Sequence, residues 1–95
     1  MSLRFEWDQQ KALTNQVKYR VSFEEPMTVF SDPLARIFDD SDHTATEPRE
    51  IIIGLSQKAR LLLVCFTERE DGVRIFSARN ATKLERQDYE ETQHS

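Results

Sequence analysis

The sequence predicts an α+β domain with a mainly antiparallel sheet, its elements ordered β-α-α-β-β-β-β-α. Three observations carry this. Helix-forming stretches open behind capping residues at Asp8 and Ser22, in the first third of the chain. Four apolar or β-branched runs of strand length follow between Leu34 and Ala78, separated by turns rather than by helices. A further capping pattern, Thr82-Lys-Leu-Glu85, then starts a terminal helix. Consecutive strands without crossover helices pair antiparallel, with two N-terminal helices and one C-terminal helix placed around the sheet.

Leu3-Arg4-Phe5-Glu6-Trp7 alternates apolar and polar, the pattern of a short half-buried strand. Asp8 stands where an N-cap belongs, and the helix behind it runs to about Lys18 with Leu13 and Val17 as its apolar stripe. In Ser22-Phe-Glu-Glu25 the serine hydroxyl serves the amide three residues on, and Glu25 reaches back to the Ser22 amide. That second helix buries Phe23, Met27 and Phe30, carries Pro26 near its start, and ends at Ser31-Asp32-Pro33.

Leu34–Phe38 is the first of the four strands, closed by the acidic stretch Asp39–His43; Thr44–Pro48 is polar and irregular. Glu50–Leu55 and Arg60–Glu68 form a hairpin through Ser56–Ala59, and their unbroken apolar runs require cover on both faces of the sheet. At Glu70-Asp71-Gly72, a two-residue Asp71-Gly72 turn would set Arg69 against Arg74. A three-residue loop with Gly72 left-handed instead sets Glu68 opposite Arg74, which attracts, and is expected. Val73–Ala78 is the last strand, and the terminal helix carries Leu84, Arg86 and Tyr89. Residues 1–91 then form a single domain and 92–95 a disordered tail.

Composition narrows the function classes. One cysteine among 95 residues excludes an intrachain disulfide framework and a cysteine-based zinc ribbon. His43 and His94 cannot fill a zinc site without carboxylates. Asp39-Asp-Ser-Asp-His43 resembles a metal loop, but an EF-hand started at Asp40 would need glycine at 45 and glutamate at 51, where Ala45 and Ile51 stand. A turn whose aspartates cap their own backbone is expected there, so neither metal nor cofactor is expected. Cys65, inside an apolar strand, reads as a small core hydrophobe. No apolar run approaches the roughly 18 residues of a membrane span, and the start has no signal-peptide pattern, so a cytoplasmic protein is expected.

The net charge of −4 argues against bulk nucleic-acid binding, but Lys58–Arg86 holds seven basic residues against four acidic ones. Fields follow local charge, so an anion site in this stretch is allowed. Arg69, Arg74 and Arg79 come from one hairpin, with Lys83 and Arg86 on the helix behind it. Guanidinium groups bind phosphate bidentately and keep their charge at cellular pH. Salt bridging to Glu68 and Glu85 is the competing reading of the same residues. Lys18-Tyr19-Arg20 places two cations around a phenol at a helix C-terminus, where the helix dipole favours cations in any case.

The chain resembles the BrnT family, toxins of bacterial type II toxin–antitoxin systems. The resemblance spans about Phe5 to Glu91. It rests on Phe5-Glu-Trp-Asp8, Val21-Ser-Phe-Glu-Glu25, Val29-Phe30, Asp32-Pro-Leu-Ala35, Phe38-Asp-Asp40, Asp42-His43, Ile53-Gly-Leu55, Thr67-Glu-Arg69, Arg74-Ile-Phe-Ser-Ala-Arg79, Ala81-Thr82, Glu85-Arg86 and Tyr89-Glu-Glu91. It implies a RelE-like fold, metal-independent RNA cleavage that arrests growth, and neutralisation by a BrnA-like ribbon-helix-helix antitoxin. Operator DNA would be contacted only through the antitoxin, and no membrane is involved.

On this reading Arg74 and Arg79 hold the RNA phosphate with Lys83 and Arg86, and Lys18 and Arg69 support them. Glu68, Tyr19 and Tyr89 are the proton-transfer candidates, Glu68 being also placed to orient Arg74. Two departures stand out. The family usually reads Lys-His-Gly where this chain has Lys18-Tyr19-Arg20, and Pro26 replaces a small residue. Histidine titrates near neutrality, whereas a phenol, with an ordinary pKa of about 10, needs nearby cations to act as a base. The departure implies a second reading, a catalytically weakened or inactive protein acting as a binding and co-repressor module.

Overall fold

Strands from both ends and the middle of the chain meet in one five-stranded sheet, ordered β1-β5-β4-β3-β2. The computed structural model describes residues 4–39 and 48–93. β1 (Arg4–Glu6) pairs parallel with the start of β5 (Gly72–Asn80). β5 with β4 (Leu61–Arg69), β4 with β3 (Glu50–Leu55), and β3 with β2 (Arg36–Asp39) are antiparallel. α1 (Gln9–Tyr19) follows β1; α2 (Glu24–Met27) runs into a 3-10 turn at Thr28–Ser31; α3 (Lys83–Gln93) follows β5. The predicted α+β order is the observed one. The Asp39–His43 stretch lies, beyond Asp39, outside the described residues.

Asp8 caps α1 as expected, accepting from the amides of Gln10 at 2.8 Å and Lys11 at 3.1 Å. The expected apolar stripe is not the buried face: Leu13 is 59% and Val17 84% exposed. Ala12, Asn15 and Tyr19 face inward instead. The reason lies in β5, which β1 pairs with only from Gly72 to Arg74, leaving the backbone of Ala78 without a strand partner on that side. The Asn15 amide takes that role. Its Nδ2 donates to the Ala78 carbonyl at 2.8 Å and to the Val21 carbonyl at 2.9 Å, and its Oδ1 accepts from the Ala78 amide at 3.1 Å. Satisfying buried backbone groups outweighs burying two aliphatic side chains.

The Ser22 capping box does not form. α2 starts behind Phe23, which makes no side-chain cap. Glu25 turns inward, 2% exposed, and accepts from both ends of the Arg60 guanidinium and from the Ser56 hydroxyl at 2.6 Å. Once buried, the Glu25 carboxylate needs charge-assisted partners, and Arg60 and Ser56 supply them where a helix-cap position would not. Pro26 falls in the first turn, where a missing N–H leaves no intrahelical bond broken. Phe23 is buried and Met27 and Phe30 pack against the same core, as expected.

The β3–β4 connection is a three-residue loop with Ala59 at φ 60°; Ser56 donates to the Arg60 carbonyl at 2.9 Å. The expected geometry of the β4–β5 turn is overturned. Glu70 and Asp71 form a two-residue loop, so Arg69 faces Gly72, Glu68 faces Val73, and Thr67 faces Arg74. Gly72 is not left-handed. A Cβ there would run into the carbonyl oxygen of Arg4, so this glycine admits the β1 backbone rather than shaping a turn. Local charge pairing across the hairpin misled because the relevant neighbour, β1, comes from the far end of the chain.

Both faces of the sheet are covered, as the unbroken apolar runs required. One face packs Ile52, Leu62, Val64, Phe66, Val73 and Ile75 against Val21, Phe23 and Val29. The other packs Ile53, Leu61 and Leu63 against Tyr89 of α3. Cys65 is buried in β4. Thr82 and Glu85 form the expected capping box, with reciprocal bonds of 3.2 and 2.8 Å. Asp32 pins α3 and β3 together, accepting from the Tyr89 hydroxyl at 2.6 Å and the Leu55 amide at 2.8 Å. Among the described residues no helix is long and apolar enough to cross a membrane.

Asn15→Ala should cost about 3 kcal/mol in denaturant unfolding, since it strands the Ala78 backbone. Arg20 ends α1 in the left-handed region at φ 59°. Arg20→Gly should therefore stabilise by about 1 kcal/mol and raise Tm by roughly 4–8 °C in a thermal melt. Acid is expected to destabilise the fold. Arg60 holds Glu25 below its ordinary value of 4.5 against the opposing effect of burial. Burial raises Asp32, but hydrogen bonds from Tyr89, Leu55 and Leu34 leave it net lowered. Carboxylates held low in the folded state contribute fully above the unfolded pKa and lose that contribution as pH falls through the folded one. Glu50, raised by burial and then by Glu68 and Asp39, acts in the opposite sense. Stability should hold at neutral pH and decline below about pH 4.5, with Glu25→Gln flattening the decline in pH-dependent urea unfolding.

Candidate functional site

The strand register sorts the predicted basic residues into two places. Arg74 lies at the turn end of β5, and Arg79 five residues on, roughly 16 Å away along the strand. Arg69 and Arg74 converge on one carboxylate oxygen of Glu6, at 3.5 and 3.6 Å. Arg74 is paired there because Glu6 is its direct neighbour in the parallel β1–β5 register. Glu68 does not face Arg74; it lies close enough to Glu50 to raise its pKa. These residues lie at the β4–β5 turn end of the sheet, and the length of β5 separates them from Arg79.

Arg79 belongs to a second cluster, built by β5, α1 and α3. Its guanidinium donates to both carboxylate oxygens of Glu85 at 2.9 Å and to the Asn80 carbonyl at 3.2 Å. Glu85 is simultaneously the capping residue of α3, accepting from the Thr82 amide. One carboxylate thereby fixes both the helix start and the direction of the arginine. The Glu85 bonds raise the Arg79 pKa against burial, with smaller Coulombic contributions from Glu85 and from Tyr19. Bonding to Arg79 holds Glu85 below 4.5 despite its burial. The Arg79 side chain stays 34% exposed, so its outer edge is open to a ligand.

Tyr19, at the last turn of α1, reaches the field of Arg79, and the Lys18 ammonium lies 5.1 Å from the Tyr19 ring centroid. Asn15, one helical turn earlier, sets this approach by binding the strand backbone beside Arg79. Lys18 and Tyr19 are adjacent at the end of α1, and Tyr19 is near enough to Arg79 to exert a minor charge effect on it. Two cations and a hydroxyl on these neighbouring elements are a set suited to a phosphodiester.

The remaining predicted residues are placed around it. Lys83 and Arg86 flank Glu85 on α3 and are exposed. Tyr89 is buried with its hydroxyl donated to Asp32, a structural tie. No group of three or more potential metal ligands occurs among the described residues.

Sequence reasoning missed the groove leading away from this cluster between α1 and β5. It has a volume of about 290 Å³ and is lined by Lys11, Thr14, Lys18, Tyr19, Phe76 and Ser77, with Gln10 and Asn15 at its side. The Phe76 ring carries the Arg49 guanidinium carbon 4.1 Å and the Lys11 ammonium 5.3 Å from its centroid. Phe76 stood inside the Arg74–Arg79 motif, but its exposure follows from the bulge at Cys65/Phe66, which leaves it without a β4 partner and which no sequence pattern marks.

Comparison with curated protein sequences finds no match. Among solved structures, the 1.1 Å crystal structure of the Brucella abortus ribonuclease toxin BrnT matches with a TM-score of 0.64. It is 22% identical, covering 86% of this chain and all of that one, so the likeness is one of fold. The family model described as "Ribonuclease toxin, BrnT, of type II toxin-antitoxin system" matches residues 7–85. That span runs from Trp7 to Glu85, including α1, the whole hairpin and the capping carboxylate. The chain belongs to the BrnT family of ribonuclease toxins of type II toxin–antitoxin systems.

Proposed function

We propose that this chain is a metal-independent endoribonuclease whose reaction centre is the cluster of Lys18, Tyr19 and Arg79. The observation supporting this most directly is that Asn15 binds the backbone of Ala78, which fixes the C-terminal half of α1 against β5 one residue before Arg79. Cleavage at a ribose 2′-hydroxyl needs a proton acceptor, a proton donor for the leaving 5′-oxygen, and cations on the phosphorane-like transition state. Arg79, aimed by Glu85, takes the phosphate on its exposed edge. Tyr19 exchanges the proton, and Lys18 shares the developing charge. These cations supply the stabilisation that a metal provides elsewhere. Lys83 and Arg86 extend the positive field along α3, while Arg69 and Arg74, paired with Glu6, act at a distance by charge. Glu68 and Tyr89 take no direct part in this centre.

The partner is a BrnA-like ribbon-helix-helix antitoxin, and operator DNA is reached through it. The toxin–antitoxin pair works in the cytoplasm. One observation favours the second reading, a binding and co-repressor module: the bidentate Glu85 clamp occupies two Arg79 donors that a phosphate would otherwise use.

Induction of the chain alone in bacteria, with RNA integrity and growth followed, separates the two. Arg79→Ala, at unchanged abundance and fold, should reduce cleavage at least 100-fold, in the range seen when a transition-state donor is removed. Tyr19→His should increase it about tenfold or more. Cleavage at the parental level in Arg79→Ala overturns the assignment. Absence of cleavage in both the parent and Tyr19→His, with antitoxin binding intact, establishes the module instead.

A further inference from the structure

The groove between α1 and β5 carries positive charge without compensating acid. Its lining contains Lys11 and Lys18 and no carboxylate, in a chain whose net charge is −4. Two larger grooves differ in this respect. The one of about 630 Å³ beside the β4–β5 turn is lined by Asp32, Glu68, Glu70 and Asp71 against a single cation, Arg69, and in the one of about 480 Å³ beneath α3 the cations Arg36 and Arg79 are matched by Glu85 and Asp88. An anionic polymer is therefore favoured in the α1–β5 groove and repelled from the one beside the β4–β5 turn.

The groove also has a periodicity. Lys11, Thr14 and Lys18 are spaced three and four apart, so they form one row on α1, with the two lysines about 10 Å apart along the axis. Across from the row, the Arg49 guanidinium carbon lies 4.1 Å from the Phe76 ring centroid, an aromatic–arginine contact of a kind that unpaired bases stack beside. Lys11 reaches toward the same ring on a flexible stem, and nothing pins its ammonium to a carboxylate in the groove lining. Asn15, between the lysines, has its amide committed to the strand backbone and so presents no competing group. The groove ends at Tyr19, at the last turn of α1, and Asn15 in its lining binds the β5 backbone one residue before Arg79.

We propose that this groove is a nucleotide subsite for single-stranded RNA. One base stacks on Phe76 beside Arg49, Lys11 swings to the phosphate next to that base, and Lys18 holds the strand as it enters the reaction centre. The proposal rests on the ribonuclease reading and adds a residue set to it: Phe76 and Lys11 set how the strand is held, not how it is cut. Stacking on a ring accepts any base, so the subsite selects unpaired RNA rather than a sequence.

The test uses the intact chain and a fluorescein-labelled single-stranded oligonucleotide with 2′-O-methyl riboses, which binds without being cut. Fluorescence anisotropy is measured across a salt series for the parent, Phe76→Leu and Lys11→Gln, with thermal melts as a check on folding. Phe76→Leu should weaken binding about tenfold. Lys11→Gln should weaken it less, with the slope of log affinity against log salt reduced by about 0.7; being exposed, it keeps the test valid if Phe76→Leu does not fold. Binding unchanged in Lys11→Gln and in any folded Phe76 variant, while Arg79→Ala abolishes cleavage, overturns the subsite alone and leaves the ribonuclease reading standing. A parent that neither binds nor cuts RNA overturns both. Loss of antitoxin binding in these variants, with RNA binding unchanged, makes the groove a protein-docking surface and also overturns the proposal.

Discussion

The side-chain amide of Asn15 holding the backbone of Ala78 is the interaction on which the arrangement depends. A three-residue β1 covers less than half of β5, and a strand edge left open in a small domain exposes unpaired donors and invites association. A primary amide carries a donor and an acceptor in the same geometry as a peptide group. Asn15 can therefore act as one further residue of a neighbouring strand while sitting on a helix. This choice turns α1 so that Leu13 and Val17 face solvent, and carries Lys18 and Tyr19 to Arg79. Edge protection and assembly of the candidate site are thus one event.

Glu85 shows the same economy at the other side of the site. As a capping residue it satisfies the Thr82 amide, and as a counter-ion it aims Arg79. A partly buried guanidinium pre-oriented by a carboxylate loses less freedom on meeting a phosphate than a free one does. The cost is that the phosphate must share Arg79 with Glu85. Arg20 ends α1 in the left-handed region, so the α1 terminus holds its geometry under backbone strain.

Charge is distributed by groove rather than by segment. The basic excess of Lys58–Arg86 suggested one gathering of guanidinium groups, but strand pairing sends Arg69 and Arg74 to Glu6 and leaves Arg79 with α1. The acid-free groove between α1 and β5 involves Lys11, from a half of the chain that is net acidic. Summing charges along a sequence window therefore does not show which neighbours strand pairing gives each cation.

By itself the sequence determined the α+β class, the element order, the Asp8 cap, the Thr82–Glu85 box, and the two-sided burial of β3 and β4. Each of these depends on residues within a few positions of one another or on periodicity, which a linear chain displays directly. Tertiary structure decided the rest. Glu25 left its expected cap for Arg60, thirty-five residues away. Gly72 proved to admit Arg4 from the other end of the chain, and Asn15 found Ala78 across sixty-three residues. In every such case a buried polar or backbone group had to be satisfied, and the partner that satisfied it was supplied by topology, which local patterns do not encode.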